Sequence, residues 1–257
     1  MELRDKVIVI TGASSGFGEQ IARRCAAAGA RLVLAARSPA PLERLAGELG
    51  AREGRALAVP TDVGSAADVE RLAATALERF GHVDVLVANA GFGVFDPIAR
   101  ARVEDLEEML DVNVVGVARS VKAFLPDMLR RRSGHVVVMS SGMGLVATKN
   151  MGYYSASKHA LVGLARTLMV ELEGTGVRCA LLCPGLAATG FQQRSGWEQY
   201  PRITRWFSCT SEQVADATVR AIRRRTHGEV LVPWYEWLTS LYDLAPGLFR
   251  LVLRVVG

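Results

Sequence analysis

The 257-residue chain is half apolar and about a fifth charged, with 31 lysines and arginines against 26 acids and a formal charge of +5. That composition excludes a disordered polymer and fits one large α/β domain or two small ones. The surplus charge is arginine, and its two triplets, at residues 130–132 and 223–225, end helical patterns where they complement a helix dipole. Neither triplet is interleaved with aromatic residues, which argues against a nucleic-acid surface.

The polar residues 1–6 lead directly into a strand and are not expected to act as a signal peptide. No uncharged apolar run is long enough to span a bilayer. From there, apolar runs and helical periods alternate. Strands are predicted at 7–10, 31–36, 57–59, 83–88, 135–139, 177–183 and 229–232. Helices are predicted at 19–28, closed by Gly29, at 41–49, and at 66–80, capped by Ser65 and closed by Gly81. Further helical patterns cover 103–131, 155–172 and 212–224. Near-continuous apolar strands between helices imply a parallel sheet covered on both faces, and no linker or repeat divides the chain. The expectation is therefore one α/β domain over 1–257, a doubly wound sheet of about seven strands.

Two segments break the alternation. Residues 186–210 form a long aromatic-rich connection, of the kind that is usually functional. Residues 233–257 form an apolar tail containing Trp234 and Trp237, with Leu241, Leu244, Leu248, Leu251 and Val255 at helical spacing. Such a stripe suits a pocket cover, a subunit contact or a membrane interface. The cysteines Cys25, Cys179, Cys183 and Cys209 form no Cys-x-x-Cys pair. Neither a metal site nor a disulfide is expected, which suits a reducing, cytoplasmic setting.

Three groups of residues carry chemistry. Tyr154 and Lys158, four apart at the start of a helical run, emerge on one face. An ammonium about 4 Å from a phenol interacts by roughly 4 kcal/mol, about three pKa units, which would bring the tyrosine into range as a general acid/base. The loop Thr11-Gly12-Ala13-Ser14-Ser15-Gly16-Phe17-Gly18 lies between a strand and a helix, where glycines allow close approach and the helix N-terminus attracts a pyrophosphate. Arg37, at the end of the second strand, stands where a carboxylate would bind the ribose 2′-hydroxyl of NAD. An arginine there suits the 2′-phosphate of NADP instead, so NADP(H) is expected over NAD(H).

Together these residues resemble the short-chain dehydrogenase/reductase family across nearly the whole chain. Asp62-Val63 and Asn89-Ala90-Gly91 match its cofactor and scaffold motifs, and Asn113 its catalytic asparagine. Ser141 lies thirteen residues before Tyr154, the family's spacing, while Tyr153 has no lysine four residues on. Pro184-Gly185, Leu186 and Thr189 match the segment holding the nicotinamide end. The resemblance implies a Rossmann-type fold, and a homodimer or homotetramer paired through the helices containing Asn113 and Tyr154. It implies that Ser141 hydrogen-bonds the substrate oxygen, Tyr154 transfers the proton, Lys158 lowers the tyrosine pKa and binds the ribose, and Asn113 supports a water link.

The apolar ending resembles the branch acting on steroids, retinoids and other lipophilic alcohols or ketones. The leading expectation is thus an NADP(H)-dependent oxidoreductase for a small lipophilic carbonyl or alcohol, with peripheral membrane contact by the tail as a lesser one. A 3-oxoacyl-thioester reductase whose arginines at 130–132 receive an acidic carrier protein is the alternative. From another class, a cofactor-sensing protein without turnover is disfavoured by the intact set of four catalytic positions.

Overall fold

The computed structural model describes residues 1–187, 208–232 and 244–245. Seven strands form one sheet: β1 (Val7–Thr11), β2 (Arg31–Ala36), β3 (Ala56–Pro60), β4 (Val85–Ala88), β5 (Gly134–Met139), β6 (Val177–Pro184) and, after two short strands, β9 (Gly228–Val232). Their order is β3-β2-β1-β4-β5-β6-β9, and every neighbouring pair is parallel. The order turns back on itself between β1 and β4, which opens a crevice at the carboxyl ends of those strands where ligands bind in such sheets.

Helices α1 (Gly16–Ala27), α2 (Pro39–Glu48) and α7 (Ser211–Arg224) join one apolar cluster with alternate strand residues such as Ile8, Leu32 and Leu182. Helices α3 (Ala66–Phe80), α5 (Gly116–Arg130) and α6 (Gly152–Glu171) pack the opposite face, against Val9, Leu86 and Val138. Adjacent strand residues thus enter different cores, and the strands read as unbroken apolar runs for that reason.

Some boundaries differ from the predicted ones. β4 spans Val85–Ala88, and Asp84 just before it bonds Val7 and His135 through its backbone while its buried carboxylate accepts the Val7 N–H (2.9 Å) and the Lys6 ammonium (3.3 Å). The helical pattern of 103–131 is α4 (Val103–Leu110) and α5 joined by a π-turn, Asp111–Val115. Four of the six triplet arginines find partners in the fold. Arg130 and Arg131 pair with Asp127, and Arg132 and Arg225 donate to the carbonyls of Gly174 and Gly176.

The connection after β6 is tied at its two ends. β7 (Leu186–Ala187) and β8 (Ser208–Cys209) pair as a separate two-stranded ribbon. Thr189 and the expected tail helices lie outside the described residues. Among the described residues no helix is long and apolar enough to cross a membrane.

Candidate active site

The glycine loop is shaped by the protein around it. Thr11, buried at the end of β1, accepts through Oγ1 the backbone N–H groups of Asn89 and Ala90 (3.0 Å each). Asn89 returns its side-chain amide to the Thr11 carbonyl (2.9 Å) and the Gly12 carbonyl (3.3 Å). Asn89 is therefore a brace between β4 and the loop. Gly12 has φ +65°, and a Cβ on it would meet the Ala90 Cα at 2.9 Å. A Cβ on Gly18 would lie 2.1 Å from the Gly12 carbonyl oxygen, so only glycine fits.

Helix α1 begins three residues earlier than its apolar period suggests, at Gly16, so Gly16, Phe17 and Gly18 form its first turn. Ser15 occupies the N-cap in extended conformation without a side-chain capping bond, leaving first-turn N–H groups open toward an anion. Ala13 is fixed by its N–H to the Ala35 carbonyl (3.1 Å), and Ser14 and Ser15 follow at the mouth of the crevice. This cradle fits a pyrophosphate. Arg37 is exposed just beyond β2 and makes no ion pair among the described residues. Ser38, its neighbour, caps α2 without using its side chain.

Beyond β3, Asp62 accepts the Gly64 N–H (2.9 Å) and offers its own N–H to Asp68 (2.9 Å), while Val63 packs against Gly116. These contacts join the loop after β3 to α3 and α5. Beyond β6, Gly185 donates its N–H to Val232, which ties Pro184-Gly185 to the edge strand.

The four expected catalytic positions converge from three elements. Asn113, in the π-turn, has no exposed surface. Its Oδ1 accepts the Phe92 N–H (2.9 Å), and its Nδ2 donates to the Phe92 carbonyl (2.8 Å) and to Ser157 Oγ (3.1 Å). Ser157 in turn donates to the Tyr154 carbonyl (2.8 Å). A single amide thereby fastens the loop after β4 to the helix that carries Tyr154 and Lys158. Gly91 leaves the clearance this needs, since a Cβ there would come within 2.9 Å of Asn113 Oδ1. Ser157 was missed in the sequence, although it shares the Tyr154 face of the helix at three-residue spacing.

Ser140 and Ser141 point apart, as their extended backbone requires. Ser140 Oγ donates to the Lys158 carbonyl (3.0 Å), holding α6 against the end of β5. Ser141 caps a short 3₁₀ turn, Gly142–Gly144, by accepting the Met143 N–H (3.1 Å), and hydrogen-bonds the Tyr154 side chain. Gly144 brings that turn against the Lys158 carbonyl, where a Cβ would stand at 2.7 Å.

The electrostatics differ from the expected ammonium–phenol pair. Lys158 is 4% exposed, donates to the Met139 carbonyl (3.1 Å), and lies 5.8 Å from the Tyr154 ring centroid. Burial pushes the Tyr154 phenol up to about 12, opposed by its hydrogen bond with Ser141. Burial also brings the Lys158 ammonium down to about 8. Desolvation is the largest influence on both groups in this arrangement. Around the phenol lies a third apolar cluster: Phe92, Met109 and Tyr154, packed by Val94, Phe95, Val112, Met143 and Tyr153. The Phe95 ring stands edge-on to that of Tyr154, with centroids 5.3 Å apart.

The four cysteines are all free and buried, and burial pushes the Cys183 thiol, beside Lys158 and Ser141, up to about 12. No group of metal-ligating side chains is present among the described residues.

Comparison with known proteins agrees with this geometry. The family model for short chain dehydrogenase matches residues 6–199. An uncharacterized oxidoreductase from Listeria innocua is 39% identical over 191 residues, 74% of this chain and 77% of the relative. A short chain dehydrogenase/reductase from Burkholderia phymatum, solved in complex with NAD, has a TM-score of 0.86 at 34% identity, covering 96% of each chain. An alcohol dehydrogenase from the archaeon Thermococcus sibiricus, complexed with 5-hydroxy-NADP, has a TM-score of 0.78 at 35% identity, over 89% of this chain and 96% of that one. With the family model matched over most of its length and its sheet, glycine cradle and Ser–Tyr–Lys cluster in one crevice, the chain belongs to the short-chain dehydrogenase family of nicotinamide-dependent oxidoreductases.

Proposed function

We propose that the protein interconverts a lipophilic ketone or aldehyde and its alcohol with NADP(H). The observation that carries this reading is the apolar wall around the Tyr154 phenol, built from Phe92, Val94, Phe95, Met143 and Tyr153. A charged or strongly hydrated substrate would lose its water there without replacement hydrogen bonds. The NADP(H) preference rests on Arg37, exposed at the β2 carboxyl end beside the unused Ser38 hydroxyl and the start of α2. A phosphate monoester meets a guanidinium, a hydroxyl and helix N–H groups in such a setting.

A nicotinamide cofactor bound in this crevice would supply the hydride for reduction of the carbonyl carbon, or accept it in oxidation of the alcohol. Tyr154 gives the phenolic proton to the substrate oxygen in reduction and recovers it in oxidation. Ser141 donates to the same oxygen and fixes its distance from the phenol. Lys158, its ammonium brought toward neutral pH by burial, replenishes the proton and would bind the cofactor ribose. Asn113 holds the Phe92 wall and the Tyr154 helix in register, and its part in a water link belongs to the same proposal. Gly12, Gly16 and Gly18 with Ser14, Ser15 and Phe17 would cradle the pyrophosphate, and by the family resemblance Pro184, Gly185, Leu186 and Thr189 would hold the nicotinamide end. Exposed Val103 and Val115 beside α4 and the π-turn suit a homo-oligomer. The free buried thiols suit a reducing compartment.

The test is a panel of ketones and aldehydes graded in apolar surface, scored by oxidation of NADPH and NADH. The proposal expects kcat/KM to rise with apolar surface and to favour NADPH. Preference for acyl thioesters, or for NADH, would overturn the corresponding half of the reading.

A further inference from the structure

Within the apolar wall around Tyr154, one side chain meets the Tyr154 ring itself. Phe95 comes from the loop after β4, and its ring meets the Tyr154 ring at 5.3 Å between centroids and 66° between planes. That is the edge-to-face arrangement aromatic pairs prefer. Tyr154 is only 8% exposed, whereas Phe95 is half-buried, so Phe95 is the outer partner of the pair. The loop that carries it is anchored a few residues earlier by the two hydrogen bonds between Asn113 and the Phe92 backbone. Within the same loop Asp96 pairs with Arg100 (3.2 Å) at the surface.

We propose that Phe95 is a positioning residue, whose ring excludes water from the Tyr154 phenol and so sets the pH at which that phenol exchanges its proton. The inference rests on the reading of Tyr154 as the acid/base, and goes beyond it by naming the side chain that tunes it. The physical cause is desolvation: water beside a phenolate stabilises the charged form, and an apolar ring in its place withholds that stabilisation. Burial is the largest influence on Tyr154 and acts in this direction. The other groups facing the phenol act from fixed positions. Lys158 lies a turn along α6 and is bound to Met139, Ser141 hydrogen-bonds it from the end of β5, and Cys183 approaches from the end of β6. Opening the cover therefore lowers the phenol's pKa. In reduction, where the protonated phenol is needed, the alkaline loss of rate moves to lower pH. In oxidation, where the phenolate is needed, the rise of rate moves to lower pH by the same amount.

The test compares Phe95→Ala and Phe95→Leu with the unaltered chain. Phenol ionisation is followed by ultraviolet difference absorbance during alkaline titration, with Tyr154→Phe in each background to isolate the one tyrosine. This readout needs no turnover, so it is separate from the reading of Tyr154 as catalytic, which Tyr154→Phe tests by activity. Phe95→Ala is expected to lower the Tyr154 transition by about one pH unit. Phe95→Leu, which keeps apolar cover without the ring, is expected to stay near the unaltered value. Should Phe95→Ala not fold, Phe95→Val is expected to give an intermediate shift. The alkaline limb of NADPH-dependent reduction should move with the spectroscopic transition. Coincident transitions in Phe95→Ala and the unaltered chain would overturn the proposal. So would an equal shift in Phe95→Leu, since the apolar cover would then not be the cause.

Discussion

Replacing Asn113 is the most direct test of how the site is held together. In Asn113→Ala the Phe92 N–H and carbonyl, in a residue 9% exposed, lose bonds of 2.9 and 2.8 Å. Ser157 keeps its bond to the Tyr154 carbonyl and so contributes little. Leaving a buried donor or acceptor unpaired costs about 1–3 kcal/mol each, so the expected loss is roughly 2–6 kcal/mol. Against a typical stability of about 5–15 kcal/mol, that is a large share. Water entering the vacated space would hold the loss to the lower end. Urea unfolding followed by circular dichroism measures it.

Asn113→Asp sharpens the test, because one oxygen still accepts the Phe92 N–H while the other faces the Phe92 carbonyl. Ionisation of that carboxyl is disfavoured, so its pKa in the folded state rises above the unfolded value of about 3.9. Between the two pKa values the folded chain binds more protons, and stability falls as pH rises through that window. The deficit of Asn113→Asp should therefore be smallest in acid and grow toward neutrality. A loss under about 1 kcal/mol for Asn113→Ala, with a pH-independent deficit for Asn113→Asp, would refute the clamp.

Tyr154→Phe should bind NADPH normally yet lose about a hundredfold or more in kcat, measured by NADPH oxidation with the best panel substrate. Arg37→Asp should turn the cofactor preference toward NADH, with a change of roughly tenfold or more in the ratio of kcat/KM values. His135 is fully buried, with its ring nitrogen Nε2 2.9 Å from the Thr226 carbonyl, and desolvation lowers its pKa from 6.5 to about 4. Between those values the unfolded chain binds the extra proton, so stability should drop on acidification through this window by on the order of 3 kcal/mol. His135→Gln should flatten that part of the stability curve in urea titrations at stepped pH.

The parallel sheet was legible because its strands face a core on both sides and therefore carry unbroken apolar runs. The glycine loop was legible because a tight backbone approach leaves a glycine signature. The π-turn at Asp111–Val115 was not, since its residues have ordinary helical composition and only tertiary packing inserts the extra residue. For the same reason Asn113 could be matched to a motif while its two-ended grip on Phe92 could not be anticipated. The Tyr154–Lys158 pair shows the other limit. Spacing reveals that two side chains share a helix face, yet the choice of Lys158 to donate to Met139 depends on where β5 ends. Desolvation, which reverses the expected shift of the phenol, has no local sequence signal at all.

The ribbon of β7 and β8 has a consequence for how new specificities arise. Its parallel pairing of Leu186 with Ser208 and Ala187 with Cys209 draws together the two ends of the excursion at 188–207. The main sheet closes independently of that excursion, through the β6–β9 pairing. Closing a flexible loop of twice the length costs only about 0.6 kcal/mol more. Changes of length between Ala187 and Ser208 are therefore expected to cost the main sheet little. Grafting the corresponding segment from a relative should transplant substrate preference while leaving cofactor affinity and melting temperature almost unchanged.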